Sequence, residues 1–552
     1  MHRPLLALVA LPLAALSLAA FPAAAQTPAR RDTLPPLAPR DVEIRGELRV
    51  SLPSIERQPI TGFARPARPR RIDPARRPWT EAYAQRDLPA SPLGRPVPPE
   101  IASLDAGVPR RGAFEIGAGR YLARFGRIYL ATPPTGATGF YGAVDYDGSD
   151  ALIDGARADY DAGRARLGLR TGNERVGVDV QADAFGREHR LYAFDPSALR
   201  DGTGGGVTAS IDGTPRDGLA FGVEARVRAT RFGGEGDGAG ESAENRAGLA
   251  VRLAQDGAAG RPGFYAQAAG DVASTNGRDA SFVDAGAGVA LGRGRLTLTA
   301  GPRVLLTTGS DGETLVSADV DVRFRPSDGV ELFAANRPRV ERNDVEALFD
   351  TNPYLVGRPD ARAFAVPVRA EAGVKGTRGP AEGRVWAAYD RAPSMRYFEE
   401  AGAARGGMTD VAYGRIAETR AGADVRVLVL RGLHASAGGE LRSPRFLDAS
   451  AEDDVIPYRA EAAGFASVGY RLPRGRGFVQ ATLEADGVRY ADRAAALRLD
   501  PVVDLDLYGS FALTSSLTLI ARADNLISGA NERWLGYREP GAVAMLGLSV
   551  RW

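Results

Sequence analysis

The chain has 552 residues, of which 44% are hydrophobic and 25% charged, a mixture too apolar for wholesale disorder and too polar for a helical membrane protein. Its 70 basic and 68 acidic residues leave a formal charge of +2, so no global attraction to nucleic acid is implied. Cysteine is absent, which excludes a disulfide framework and a lipidated cysteine at the N-terminus.

In chain order, the first residues read as an export signal. His2 and Arg3 supply a short basic region, residues 5–18 an apolar run, and Ala23, Ala24 and Ala25 a small-residue cleavage site before Gln26. Residues 1–25 are therefore expected to be a signal peptide for export into a Gram-negative envelope. Nothing after them offers the ~18 consecutive apolar residues that a spanning helix needs. Entry into a membrane would have to be by strands.

Residues 26–111 are rich in proline and arginine, as in Ala64-Arg65-Pro66-Ala67-Arg68-Pro69-Arg70-Arg71, and cannot form a packed core. A largely irregular periplasmic or lumenal segment is expected there. One piece alternates: Val42, Ile44, Gly46, Leu48 and Val50 interleave with Glu43, Arg45, Glu47 and Arg49. It could add a strand to the edge of a periplasmic protein partner.

From residue 112 to the end the period becomes two. Val316, Ala318, Val320, Val322 and Phe324 share one face of a strand, and Ser317, Asp319, Asp321 and Arg323 the other. Residues 219–229 and 503–513 repeat the pattern. Short connections at 171–174, 212–218, 292–294, 326–329, 431–432 and 514–516 separate hairpins, and long ones at 185–204, 232–245, 339–359, 395–410, 446–457 and 528–540 join them. Short turns on one rim and long loops on the other describe a closed barrel. The expected fold is all-β: a transmembrane antiparallel β-barrel of about 22 strands over 112–552.

The last strand is the most specific local signal. Ala544, Leu546, Leu548, Val550 and Trp552 alternate with Met545, Gly547, Ser549 and Arg551, and the strand stops on its aromatic residue. Leu548, Val550 and Trp552 are the residues through which barrel-assembly machinery would recognise the chain.

Here the sequence resembles a known family. Residues 517–552, with Asn525-Leu526, Gly536-Tyr537, Pro540-Gly541 and the terminal strand, look like the end of TonB-dependent receptors. Gly117, Gly119 and Tyr121 near the first strand, and Asn352-Pro353-Tyr354 in the longest loop, are similar to barrels of this type from Bacteroidetes-like bacteria. The resemblance covers the barrel. The plug that precedes such barrels, with its arginine-and-glycine motif, has no counterpart in the proline-rich segment. What the resemblance implies is an outer-membrane barrel for passage or uptake of solutes, set in lipid and lipopolysaccharide. Without a plug, the lumen needs a filling: the N-terminal segment, inward-folded loops or another protein. The alternative is a structural subunit of an envelope assembly that docks partners through its N-terminal arm.

No catalytic, cofactor-binding or metal site is expected. His189 and His434 stand far apart in sequence, and the glycines of Gly204-Gly205-Gly206 and Gly233-Gly234 read as turn and loop residues without a phosphate-binding context. The acidic residues Asp145, Asp147, Asp150, Asp154, Asp453 and Asp454 fit no calcium loop and read as solvated. Arg226, Arg228, Arg303, Arg323 and Arg325 are expected to face the lumen with Asp319, Asp321, Asp504 and Asp506, where charged rings set ion preference. Tyr354, Tyr397, Phe398, Trp534 and Tyr537 fall in long loops and are the candidates for an external ligand surface.

Overall fold

A computed structural model describes residues 112–552 except 133–137, 154–155, 174, 196, 217, 235–239, 256–261, 310–311, 403–406, 431, 449–453 and 528–530. The signal peptide, the segment 26–111 with its possible docking strand, and the acidic residues Asp154 and Asp453 lie outside the described residues.

The 22 main strands form one antiparallel sheet that closes on itself. The first strand, Gly112–Gly119, pairs with Arg124–Ala131 on one side and with the last strand, Val543–Arg551, on the other. Reciprocal backbone bonds between Gly112 and Trp552, 3.1 and 3.2 Å long, finish the seam. Closure leaves the sheet without an edge. In hydrocarbon each unpaired backbone group would cost several kcal/mol, so an open sheet could not span.

The wall is inside out relative to a soluble sandwich. Val316 is 71% exposed, Leu167 67% and Leu546 64%, whereas Glu418 is 1% and Asp504 2% exposed. In the strand Glu313–Ser327 the cause is visible residue by residue. Val316 and Phe324 point away from the lumen, while Asp319 and Asp321 pair inward with Arg303 and Arg323. Several aromatic rings also lie on the inner face, each over a glycine of the next strand. A Cβ on Gly422 would meet the Trp386 ring at 2.7 Å, and one on Gly373 the Phe333 ring at the same distance.

One rim carries short turns. Two residues each join Arg278–Arg293 to Leu296–Thr307, Glu313–Ser327 to Val330–Asn336, and Val368–Arg378 to Ala381–Glu400. Gly432, at φ 89°, makes the close reversal into Leu433–Phe446. The opposite rim carries the long connections 337–367, 447–461, 487–501 and 525–542. That rim is less uniform than the sequence pattern suggests. Asn276 and Gly277, at φ 53° and 77°, close one of its hairpins in two residues, as a type I′ turn does.

Two expected loops are at least half strand. Val176–Arg190 and Leu199–Arg216 run on through most of 185–204, and Ala381–Glu400 and Thr409–Leu430 through half of 395–410. Gly204, Gly205 and Gly206 are accordingly mid-strand, and not turn residues. A Cβ on Gly204 would strike the Phe185 ring at 2.5 Å, and one on Gly206 the Val227 carbonyl at 2.7 Å. Gly233 and Gly234 end the strand Leu219–Gly234.

Candidate functional site

The longest connection, 337–367, turns back into the barrel. Its two arms, Arg339–Arg342 and Ala363–Val366, pair antiparallel, and between them lies the helix Val345–Thr351. The Asp344 carboxylate caps the helix by accepting the Ala347 N–H at 2.6 Å. Val345, Leu348 and Phe349 then fall on one face at helical spacing, and all three are buried against Phe185, Phe232, Leu355, Phe398 and Val411. Phe349 stacks on Phe232 with ring centroids 4.4 Å apart.

The charged residues of the loop reach the wall. Glu346 accepts from Arg164 at 2.6 Å and from Arg228 at 2.5 Å, Asp350 pairs with Arg187, and Asp344 with Arg246 at 2.8 Å. Asp350 sits one helical turn beyond Glu346, so both meet the same side of the barrel. Farther round, Arg342 pairs with Asp271 at 2.9 Å, the Val340 N–H donates to Asp284 at 3.1 Å, and Arg337 holds Asp321 at 2.6 Å. Arg369 closes the set on Glu341 at 2.9 Å. Burial pushes the Glu341 carboxyl up, but the guanidiniums of Arg339 and Arg369 outweigh it and hold the group below the usual glutamate range. The motif Asn352-Pro353-Tyr354 is the anchor at the end of the helix. The Asn352 side chain accepts the Tyr354 N–H at 2.9 Å, and the Pro353 carbonyl accepts from Arg200 at 3.1 Å and meets His189 Nε2 at 2.8 Å.

The other long loops pack over this insert. Tyr354 stacks on Tyr537, Phe398 meets Trp534 edge-on at 5.3 Å, and Tyr397 meets Phe446 at 5.3 Å. Tyr354, Tyr397, Phe398 and Tyr537 are buried and Trp534 is half-buried, so these five form the interior of a packed cap and not an open gripping surface. Tyr397 and Phe398, expected in a loop, lie near the end of the strand Ala381–Glu400, and rings brought together from strand ends and loops shed more water against one another than any of them could alone. Burial also pushes the Tyr354 hydroxyl far above its ordinary range. Arg533 pairs with Glu539 of its own connection at 2.5 Å and ties 525–542 to the wall through Asp486 at 3.3 Å, with Asp504 at 3.9 Å.

The lumen charges expected from sequence are brought into compensated pairs. Arg226 meets Asp271 at 3.3 Å, Arg228 meets Asp183 at 2.9 Å as well as Glu346, and Arg303 meets Asp284 at 2.6 Å and Asp319 at 3.3 Å. Arg323 meets Asp321 at 2.9 Å, and Arg325 meets Glu331 at 2.8 Å. Asp504 and Asp506 stand apart from these, the latter accepting the Asn525 N–H at 3.1 Å. His189 is buried at the end of its strand, whereas His434 stacks on Phe478 near the short-turn rim. Sequence reasoning did not single out Asp344, Glu346 and Asp350, or Arg164, Arg187, Arg200 and Arg246. A signal for the loop half was present: Asp344 as a cap, then Val345, Leu348 and Phe349 spaced as one helical face.

No known protein family matches the sequence. No curated protein is significantly similar to it. Solved structures are. The ferric preacinetobactin receptor BauA of Acinetobacter baumannii superposes with a TM-score of 0.61 at 11% identity, over 81% of this chain and 80% of that one. The iron transporter FrpB of Neisseria meningitidis gives 0.62 at 12%, over 82% and 83%. The ferric yersiniabactin uptake receptor FyuA of Yersinia pestis gives 0.62 at 13%, over 80% of each chain. At such identities the likeness is one of fold alone, and it agrees with the closed sheet and outward apolar face of this chain.

Proposed function

We propose that this chain is an outer-membrane conduit, receptor-like in the manner of the TonB-dependent family its last strand resembles, which admits a solute when the insert 337–367 leaves the lumen. The observation that carries this reading is the insert itself, bound on its charged face to strands around much of the wall and covered by the other loops. A barrel whose only role was to be a wall would need no such closure. Uptake of iron or of ferric complexes, for which the structural neighbours are receptors and transporters, is the passage this architecture favours. The apolar outer face sits in lipid beneath lipopolysaccharide, and Leu548, Val550 and Trp552 present the chain to barrel-assembly machinery. With the insert withdrawn, Arg226, Arg228, Arg303, Asp319, Asp321 and Arg323 line the route and set its ion preference.

Planar-bilayer recording of the full chain tests the reading. The native protein is expected to be nearly silent, and a variant with 343–360 replaced by a short Gly-Ser turn to conduct. A folded deletion variant that passes no ions would overturn it.

A further inference from the structure

We infer that the wall behind the insert is a binding surface for a polyanionic solute, and that Asp344, Glu346 and Asp350 occupy it as an internal stand-in for that ligand. The inference rests on the proposed conduit only in taking the lumen as the solute's route.

Five consecutive strands, Tyr160–Gly172, Val176–Arg190, Leu199–Arg216, Leu219–Gly234 and Ser242–Gln255, each present one arginine to the insert: Arg164, Arg187, Arg200, Arg228 and Arg246. The wall's own carboxylates in contact with them are Asp183, Glu244 and Asp271, and Asp271 is shared with Arg226 and Arg342. The wall alone is therefore left with excess positive charge, which the three carboxylates of the insert neutralise.

The arrangement is costly for a purely structural wall. Arg228 and Arg246 lie directly opposite in the register, although like charges across a strand pair destabilise a sheet. Arg200 is 1% exposed and its contacts to the insert are the carbonyls of Pro353 and Leu355; its Nε and Nη2 meet no hydrogen-bond acceptor among the described residues. A buried guanidinium with three unused N–H donors on two nitrogens is a site for an acceptor. Between these arginines the rings of Phe185 and Phe232 lie flat over Gly204 and Gly202, so the surface combines guanidinium forks with aromatic faces. Several carboxylates or phosphates on one solute match that pattern, and a neutral sugar does not.

Calorimetric titration of the full chain with citrate, a tricarboxylate, against raffinose, a neutral sugar, tests the inference. E346Q with D350N keeps size while removing the charge of the internal competitor. It is expected to bind citrate about tenfold more tightly than the native chain, which corresponds to a modest shift in the docking equilibrium. Adding R187Q and R228Q is expected to abolish the gain, and raffinose to bind none of the three. In the native protein, citrate is expected to speed amide hydrogen exchange across 343–352. Equal citrate affinity with and without the loop carboxylates, or exchange untouched by citrate, would overturn the inference. Loop-dependent citrate binding in a chain whose deletion variant never conducts would sink the conduit and leave the anion surface standing. Conduction without any loop-dependent citrate binding would do the reverse.

Discussion

The membrane wall and the cap that closes it use the same apolar residues under opposite rules. Along the wall, Val316, Leu167 and Leu546 are left outside the protein, and charges are paired within. In the cap, Val345, Leu348 and Phe349 are wholly enclosed, and the carboxylates of the same helix point at the wall. The difference teaches that the wall obeys its surroundings, lipid on one side and water or protein on the other, whereas the cap must make its own interior from loops that meet only after folding. It also implies that the two can come apart. Backbone hydrogen bonds hold the sheet, while the insert is held mainly by side-chain packing and ion pairs, joined by the backbone bonds of Tyr354 and Val356 to Thr409.

The largest expected effect follows from that separation. Phe349 stacks on Phe232 and lies 4.8 Å beneath the Arg200 guanidinium, so Phe349→Ala is expected to weaken docking of the insert by about 3–5 kcal/mol. Hydrogen exchange should show lost protection at 337–367 and unchanged protection in the strands. Loss spread evenly over the barrel would mean that wall and cap are one cooperative unit.

The wall has its own test, somewhat smaller. Val320 is near the middle of Glu313–Ser327, on the face shared by Val316 and Phe324, so Val320→Arg is expected to cost about 2–4 kcal/mol in vesicle unfolding experiments. Asp319→Asn, one residue away, removes a charge that faces Arg303 and Tyr265 within the wall, and should leave the insert docked. Equal tolerance of the two changes would mean that this strand does not face lipid.

How much was legible follows the same division. A period of two needs only one strand to be read, and the tight turns, the terminal strand and the strand number of the barrel could be inferred from residues close in sequence. The cap could not. Tyr354 meets Tyr537, and Arg164 meets Glu346, across about 180 residues of chain, and no local pattern reports which loop faces inward. Length also misled. Gly204-Gly205-Gly206 has the composition of a turn, and its actual duty, leaving room for Phe185 and Arg228 on the inner face, depends on neighbouring strands. The helix in the insert was legible in principle from its cap and spacing, but nothing local tells that its carboxylates seek arginines on four strands.

The smallest effect separates charge from packing within the cap itself. Glu341 sits in the hairpin arm Arg339–Arg342, where Arg339 and Arg369 hold its carboxyl below the ordinary 4.5 of a free glutamate. A carboxylate with a depressed pKa stabilises the docked state fully above its free value, and that contribution is lost as the pH falls through the lower, docked value. The Arg339–Glu341 pair is about one-third exposed, so screening limits its contribution to roughly 0.5 kcal/mol. Glu341→Gln should therefore raise exchange in the hairpin slightly at pH 6 to 7, and the gap between variant and native should close as the pH falls well below about 4. Apolar packing does not titrate, so whatever protection both proteins keep in acid belongs to Leu348, Phe349 and the rings around them. A gap that persisted in acid would assign Glu341 to the packing of the arm and leave the charges of the insert with no part in holding that edge against the wall.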